Sequence, residues 1–498
     1  MKPCRRFSGA VGALLVLAGH AVVAQPTATL VSGPLLSIDA AIRLALDHNQ
    51  DIKVEAFAPQ IARANVLSAY GQFDPALNFG RSYSRTFGYP AVPGPLAPTL
   101  VETDSYDLNL KGLLPTGLSY TIGGNATNER GFYNGFTPDY LTFGGVNLTQ
   151  PLLRGFGFGA NLVNLRVARA NRSISEWQYR QTLINTVTSV IVTYHQLVLA
   201  HDDLRIALRS RELAATLVTE DLQLLKAGKG TEIDLVTARA EVAKFESGII
   251  EAENQVRTTD NQLRQLLGEK SFPGDQPLLN VASAPVPPVT VDPARDFQAA
   301  LDHRPDYQQA RLGITVNQAN AAAARNGLLP QVNLVASYGY NGLAGTFAAS
   351  REMLAQHDAP SSSIGLNFSI PITNSLARGQ ARAARLTLAQ SEAALRDLEG
   401  QIALAVANAA SQIQIAHRRV LADQAAYELS NQALGGEEKG LKLGYVSTQF
   451  VIQAQESLEG VEASLADDRY AERQAVAAYD QQLGMTLLRN HITLAEDK

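Results

Sequence analysis

Cysteine is nearly absent from this 498-residue chain: Cys4 is the only one. It lies among Lys2, Arg5 and Arg6, ahead of an apolar run over residues 10–24 that ends in Ala-Val-Val-Ala. A charged start, a short apolar stretch and small residues at its end are expected of a secretory signal over residues 1–24. The run is too short for a spanning helix, which needs about 20 apolar residues. Loss of this leader leaves no cysteine, which excludes disulfide and thiol chemistry in the exported chain.

Positive charge is also short. Asp and Glu outnumber Lys and Arg by 47 to 42, and removing Lys2, Arg5 and Arg6 takes the formal net charge from −5 to −8. An acidic exported chain is a poor nucleic-acid binder, because phosphate contacts need cations. Catalytic motifs are missing: there is no His-Glu-x-x-His and no Gly-x-Ser-x-Gly. His195 and His201 stand six residues apart, roughly 240° around a helix, so they share no ligand-bearing face. An enzyme is therefore not expected, and neither is a metal site or a cofactor.

Glycine and proline vanish for 68 residues, from Ala160 to Ala227. Aromatics thin out over the same region: five fall between Gly159 and Phe272, against fourteen of the 33 between Phe73 and Phe158. The chain thus changes character near residue 159, from aromatic-rich to helical.

What is present is a repeat. Ala45-Leu-Asp-His-Asn-Gln-Asp51 matches Ala300-Leu-Asp-His-Arg-Pro-Asp306 at an offset of 255. Held without a gap, that offset also pairs Pro75 with Pro330, Asn78 with Asn333 and Tyr83 with Tyr338. Pro151 matches Pro371 at an offset of 220, and Gly228, Ala238 and Gly268 match Gly444, Ala454 and Gly484 at 216. Three matches in chain order predict a tandem duplication over 37–268 and 292–484. Between the copies, 269–291 reads as a Pro-rich linker, and 485–498 is a tail. His48 and His303 hold equivalent places, which favours a structural role.

Alternation marks the strands. Leu77, Phe79 and Tyr83 share one face, as do Tyr106, Leu108 and Leu110. Pro115-Thr116-Gly117 then turns the chain into Leu118, Tyr120 and Ile122. The second copy offers Val332, Leu334, Ala336 and Tyr338, then Ile364, Leu366, Phe368 and Ile370. Such segments suit a membrane β-barrel wall. A soluble sheet packed on one side alternates in the same way, so the strands alone leave both readings open.

The helices favour the barrel. A first long helix to Ala227, a turn carrying Gly228 and Gly230, and a partner over about 232–267 predict a hairpin on the order of 100 Å long. The second copy repeats it with 380–434, an interruption at Gly435-Gly436 and a turn at Gly444. Hairpins of this length pack lengthwise rather than around one globular core. Strand and helix must then be joined by a hinge. Pro151 is expected to end the ladder, with Gly155, Gly157 and Gly159 redirecting the backbone and Pro371 in the equivalent place. A glycine phosphate loop is the rival, but the spacing is not G-x-G-x-x-G. Two to four strands per copy cannot close a barrel, and an open edge in lipid is costly. The chain is expected to pool strands with other copies.

The duplicated plan, the 45–51 opening, Thr149-Gln-Pro-Leu-Leu-Arg-Gly155 and the Gly-bearing turns resemble the TolC-type outer-membrane efflux family. The resemblance implies a mainly α fold with membrane β: tandem helical hairpins forming a periplasmic tunnel, joined to strands of an oligomeric barrel. It further implies a homotrimer set in outer-membrane lipid, with four strands per subunit. The implied partners are a periplasmic adaptor and an inner-membrane transporter, for drug efflux or type I secretion. Family members close the periplasmic tip partly with acidic residues after the turns. Asp234 matches in the first copy, whereas Phe450 and Gln453 stand at the second-copy positions, so an apolar constriction and simple helix packing are both open for Phe450. The first copy also carries 76 residues between its prolines, Pro75 and Pro151, against 41 between Pro330 and Pro371. That excess includes the 106–122 hairpin, which is either barrel wall or an extracellular extension. The competing class is an exported periplasmic coiled-coil adaptor or structural protein, which needs no amphipathic strands in two copies.

Overall fold

A computed structural model describes residues 35–88, 99–131, 134–269, 279–281 and 290–493. The signal expected over 1–24 and the five linker prolines lie outside these residues.

The first copy opens with strand β1 (Leu35–Leu36) and helices α1 (Ile38–His48), α2 (Gln50–Glu55) and α3 (Phe57–Tyr70). Ser37 caps α1 by accepting from the Ala40 amide, and Asn49 caps α2 by accepting from Asp51 and Ile52. Strands β2 (Ala76–Gly88), β3 (Thr99–Leu113), β4 (Ser119–Gly131) and β5 (Tyr140–Pro151) follow. Then come α4 (Gly157–Asn161), the 64-residue α5 (Val163–Lys226) and α6 (Glu232–Leu267). Strand β6 (Asn280–Val281) pairs in parallel with β1.

The second copy repeats the plan. Helices α7 (Pro293–His303) and α8 (Pro305–Asn326) lead to β7 (Gln331–Ala344). A ten-residue helix, α9 (Phe347–Gln356), separates β7 from β8 (Pro360–Ser369). The 69-residue α10 (Ser375–Leu443), α11 (Thr448–Gln482) and the short α12 (Thr486–Arg489) complete it. The duplication extends to packing. Gly268 and Gly484 cap their helices at φ 73° and 68° and lie against the backbone carbonyls of His48 and His303. In each pair a Cβ on the glycine would clash with that carbonyl, so His48 and His303 matter for where their backbone lies.

One expected break is absent. Gly435 and Gly436 lie inside α10, which runs through them to Leu443. Each glycine costs a helix about 1 kcal/mol relative to alanine. Leu434 and Leu441 on either side are buried with Leu217, Val451, Ile452 and Leu458. Burying a leucine is worth about 1.5–3 kcal/mol, so packing on this seam outweighs the local propensity.

Two further cores hold the hairpins. Ala41, Ile42 and Ala45 of α1 pack on Leu183, Ile184, Val187 and Val190 of α5. Their counterparts are Ala300 of α7 and Tyr307 of α8, which pack on Ile402, Val406 and Ala410. At 1.5 Å per residue, α5 and α10 reach on the order of 100 Å from the sheet.

The strands form one antiparallel six-stranded sheet in the order β2-β3-β4-β5-β7-β8. This departs from the four strands per subunit that the family resemblance implied. The extra pair is β3–β4, in continuous register from Val101–Gly131 to Leu113–Ser119 and flanked by β2 and β5. The hairpin therefore lies within the sheet, and the first copy's excess length goes into it. The predicted faces are observed. Phe79, Leu108 and Gly124 lie in one cross-strand row, with Leu77, Leu110, Ile122, Val146 and Tyr338 in the next. The opposite face carries Asn78, Ser82, Asn109, Thr121, Asn147, Ser337 and Asn367. Apolar side chains on the first face are strongly exposed: Phe79 is 73% and Ile364 80% exposed. Both edge strands, β2 and β8, are unpaired on their outer sides among the described residues.

Candidate functional site

Two places join the elements of the chain, the strand–helix junction and the helical tip. At the junction, Pro151 is the last residue of β5 and sits opposite Asn333. It does not end the pairing as expected. The Leu152 and Arg154 amides still donate to the Val332 and Pro330 carbonyls, at 2.7 and 3.3 Å. A proline whose missing donor faces away from the partner strand leaves the ladder intact. The turn comes at Gly155 and Gly157, with φ of 85° and 80°, a region that L side chains avoid. Gly159 lies within α4 with no positive φ and open space around it, so it plays no such part.

Side chains lock this turn. Asn326 Oδ1 accepts from the Gly155 amide at 2.8 Å, and Asn161 Nδ2 donates to the Gly155 and Gly157 carbonyls. The Gly157 amide donates to the Thr116 carbonyl at 2.9 Å. Thr116 belongs to the turn between β3 and β4, so the added hairpin is fastened to the hinge itself. In the second copy Pro371 lies two residues beyond β8. Asn374, at φ 45°, makes that turn and donates to the Leu328 carbonyl at 3.3 Å. Asparagine is among the few non-glycine residues that tolerate this conformation, which is the signal that could have found it.

At the far end, Gly228 and Gly444 end their helices at φ 71° and 79°. Gly230 has no positive φ; its amide donates to the Leu224 carbonyl at 3.2 Å, and a Cβ there would crowd Leu224 and the Leu225 amide. Asp234 is half-buried and serves as the third residue of a capping box. Its Oδ2 accepts from the Thr231 amide and hydroxyl at 3.1 and 2.6 Å. Phe450 is 58% exposed, so it is not packed between helices of its own chain. Gln453, one helical turn on, is also exposed.

The tip holds a contact absent from the sequence reading. Thr448 Oγ1 donates to Asp221 Oδ1 at 2.8 Å, tying α11 to α5. Asp221 is 2% exposed, and its Oδ2 has no partner among the described residues. Burial pushes the Asp221 carboxyl above its ordinary range; Thr448 opposes this, and the nearby Asp234 and Glu220 charges add to it. Lys442 reaches Glu220 at 3.1 Å across the same seam. Farther along, Arg209 pairs with Glu462 at 3.2 Å, and Lys244 with Glu456. The two histidines of α5, His195 and His201, do not share a site. His195 is buried and pushed down to about 4 by burial and by Arg473, while His201 meets the Leu279 carbonyl at 3.2 Å. No cluster of three metal-ligating side chains occurs among the described residues.

Comparison with known proteins agrees with this architecture. The model of the outer membrane efflux protein family matches residues 102–269 and 297–485. The outer membrane efflux protein BepC of Brucella suis is 28% identical over 362 residues, covering 70% of this chain and 74% of that protein. Among solved structures, the outer-membrane channel OprN superposes with a TM-score of 0.67 at 19% identity, over 90% of this chain and 89% of that one. CusC superposes at 0.65 and 20% identity, over 90% and 91%. At these identities the structures speak for the fold alone.

Proposed function

Because the chain belongs to the outer membrane efflux protein family, we propose that it forms a homotrimeric conduit receiving substrates from an inner-membrane transporter through a periplasmic adaptor. It is an efflux channel component of the outer membrane with a long periplasmic extension, and the family is one of transport channels. Such channels work within tripartite systems. This chain's repeats at 37–268 and 292–484 supply the working parts, with 269–291 between them and a tail after 485.

One observation carries it. The sheet has six strands, all antiparallel, so its edge strands β2 and β8 run in opposite directions. An edge in hydrocarbon leaves backbone groups unpaired at several kcal/mol each. Pairing β2 of one copy with β8 of the next continues the antiparallel order and removes every edge. Three copies of six strands make eighteen, the size that leaves an aqueous channel in porins. The polar face then lines the lumen and the apolar face meets lipid. At the tip, Asp234, Phe450 and Gln453 are the side chains assigned to the closed constriction. The Asp221–Thr448 and Lys442–Glu220 contacts hold the hairpins in that state. Exposed Phe450 favours narrowing by an apolar ring, which excludes ions by dewetting.

Deleting the gene should raise intracellular accumulation of transported compounds severalfold, and the intact chain should restore export. Crosslinking from introduced photoreactive residues at 229 and 445 should capture a periplasmic adaptor. Full export without the chain, under conditions where its transporter is active, would remove this reading.

A further inference from the structure

Helix α9 lies at the end of the sheet away from the long helices, on the apolar face. It is fastened at several points. Ser350 is fully buried and bonds Thr142 Oγ1 at 2.8 Å and the Gly342 carbonyl at 2.9 Å. Leu354 rests over Gly144, Phe347 meets the Tyr140 ring at 6.1 Å, and His357 meets Tyr340 at 4.4 Å. All of these contacts are to β5 and β7. Toward β3 and β4 the helix overhangs, and a cavity of about 680 Å³ remains beneath it. Its walls are Phe79, Tyr106, Leu108, Tyr140, Phe347 and Leu354, and Gly124 and Ala126 contribute its floor. The volume falls in the range that holds a drug-sized ligand, about 300–1,000 Å³.

Charge around the cavity is positive and layered. Above the apolar rows, the same face carries Arg81, Arg85 and Arg130 against Asp104 and Glu102. These five pair among themselves, Arg81 with Asp104 and the other two arginines with Glu102. Arg351 of α9, on the cavity wall, has no ion pair or hydrogen bond among the described residues. Asp107, at the cavity's edge, turns its carboxylate over Gly80 on the polar face. An apolar hollow below a guanidinium unpaired among the described residues, on a face turned toward lipid, matches a hydrocarbon chain attached to an anionic head.

We infer that this cavity is a lipid site, taking an acyl chain of a phosphorylated glycolipid of the outer leaflet, with Arg351 on its phosphate. Arginine suits phosphate because its planar fork can donate twice. The leaflet follows from position: α9 joins β7 to β8 at the end opposite the periplasmic helices. The inference rests on the outward orientation of the apolar face given above. A trimer that conducts yet holds no lipid would sink this site and leave the channel reading intact.

The test is native mass spectrometry of the detergent-purified full chain, titrated with lipid A or with phosphatidylcholine. Wild type should retain lipid A at least tenfold better than phosphatidylcholine after collisional activation. Arg351→Glu, an exposed change, should cut lipid A retention about tenfold without affecting assembly. Ala126→Phe, which fills the floor, should remove adducts of both lipids. Lipid A held no better than phosphatidylcholine, or held equally by wild type and both variants, overturns the site. Loss in only one variant overturns the contact assigned to the unaffected residue.

Discussion

A chain carrying valine at both Gly155 and Gly157 is expected to yield almost no assembled channel. Both residues hold positive φ, 85° and 80°. That region costs an ordinary L-residue roughly 1–2 kcal/mol and a β-branched one more. The turn cannot relax to avoid the cost. Asn326, Asn161 and Thr116 hold it through the Gly155 amide, both glycine carbonyls and the Gly157 amide. Rotating either residue breaks these bonds, misdirects the long helix and detaches the turn of the added hairpin. Gly159→Val should by contrast assemble to near the wild-type level, because it sits in open space without a positive φ. Quantifying oligomer in isolated outer membranes decides the matter. Normal yield from the double variant would show that the hinge lies elsewhere.

The second large effect is expected at the tip. Thr448→Val combined with Lys442→Ala removes the hydroxyl donated to Asp221 and the cation facing Glu220. Asp221 is then left buried with neither oxygen bonded, a state that costs about 1–3 kcal/mol and more for a charged group. The seam between the hairpins should loosen, and resting conductance in planar bilayers should rise severalfold at neutral pH. Acidification should partly reverse the rise, because the raised carboxyl of Asp221 takes up a proton earlier than a free one and then no longer needs a donor. Conductance equal to wild type at every pH would show that these contacts do not hold the tip closed.

Much of this was legible in the sequence, for reasons that can be named. Strand faces follow from side-chain alternation alone, so Leu77, Phe79, Tyr106 and Leu334 fell on the expected side. The second helix of the first hairpin could be bounded at about Glu232 and Leu267 because a glycine-bearing turn precedes it, and in the structure a capping box and a left-handed glycine mark those ends. Gly435-Gly436 misled, because propensity is local whereas the burial of Leu434 and Leu441 depends on a partner helix far away in sequence. Pro151 misled because the cost of a missing donor depends on which way it faces. The Asp221–Thr448 pair was invisible for another reason, whereas Asn374 carried only the weak signal that asparagine tolerates the left-handed region. Nothing in an aspartate says that its partner lies 227 residues away. The 106–122 hairpin could be recognised as strands, but its place in the wall is set by pairing with β2 and β5, and pairing is not written in a single segment.

The wall is also where this chain departs from what its family resemblance implied, so the count of strands is the point to measure. Electron cryo-microscopy of the chain purified into lipid nanodiscs would show it directly. The account predicts three copies around one axis and eighteen strands, with β2 of each copy hydrogen-bonded to β8 of the next and β3–β4 inside the wall. A barrel of twelve strands with β3–β4 lifted out of it, or a single copy closing on itself, would contradict it.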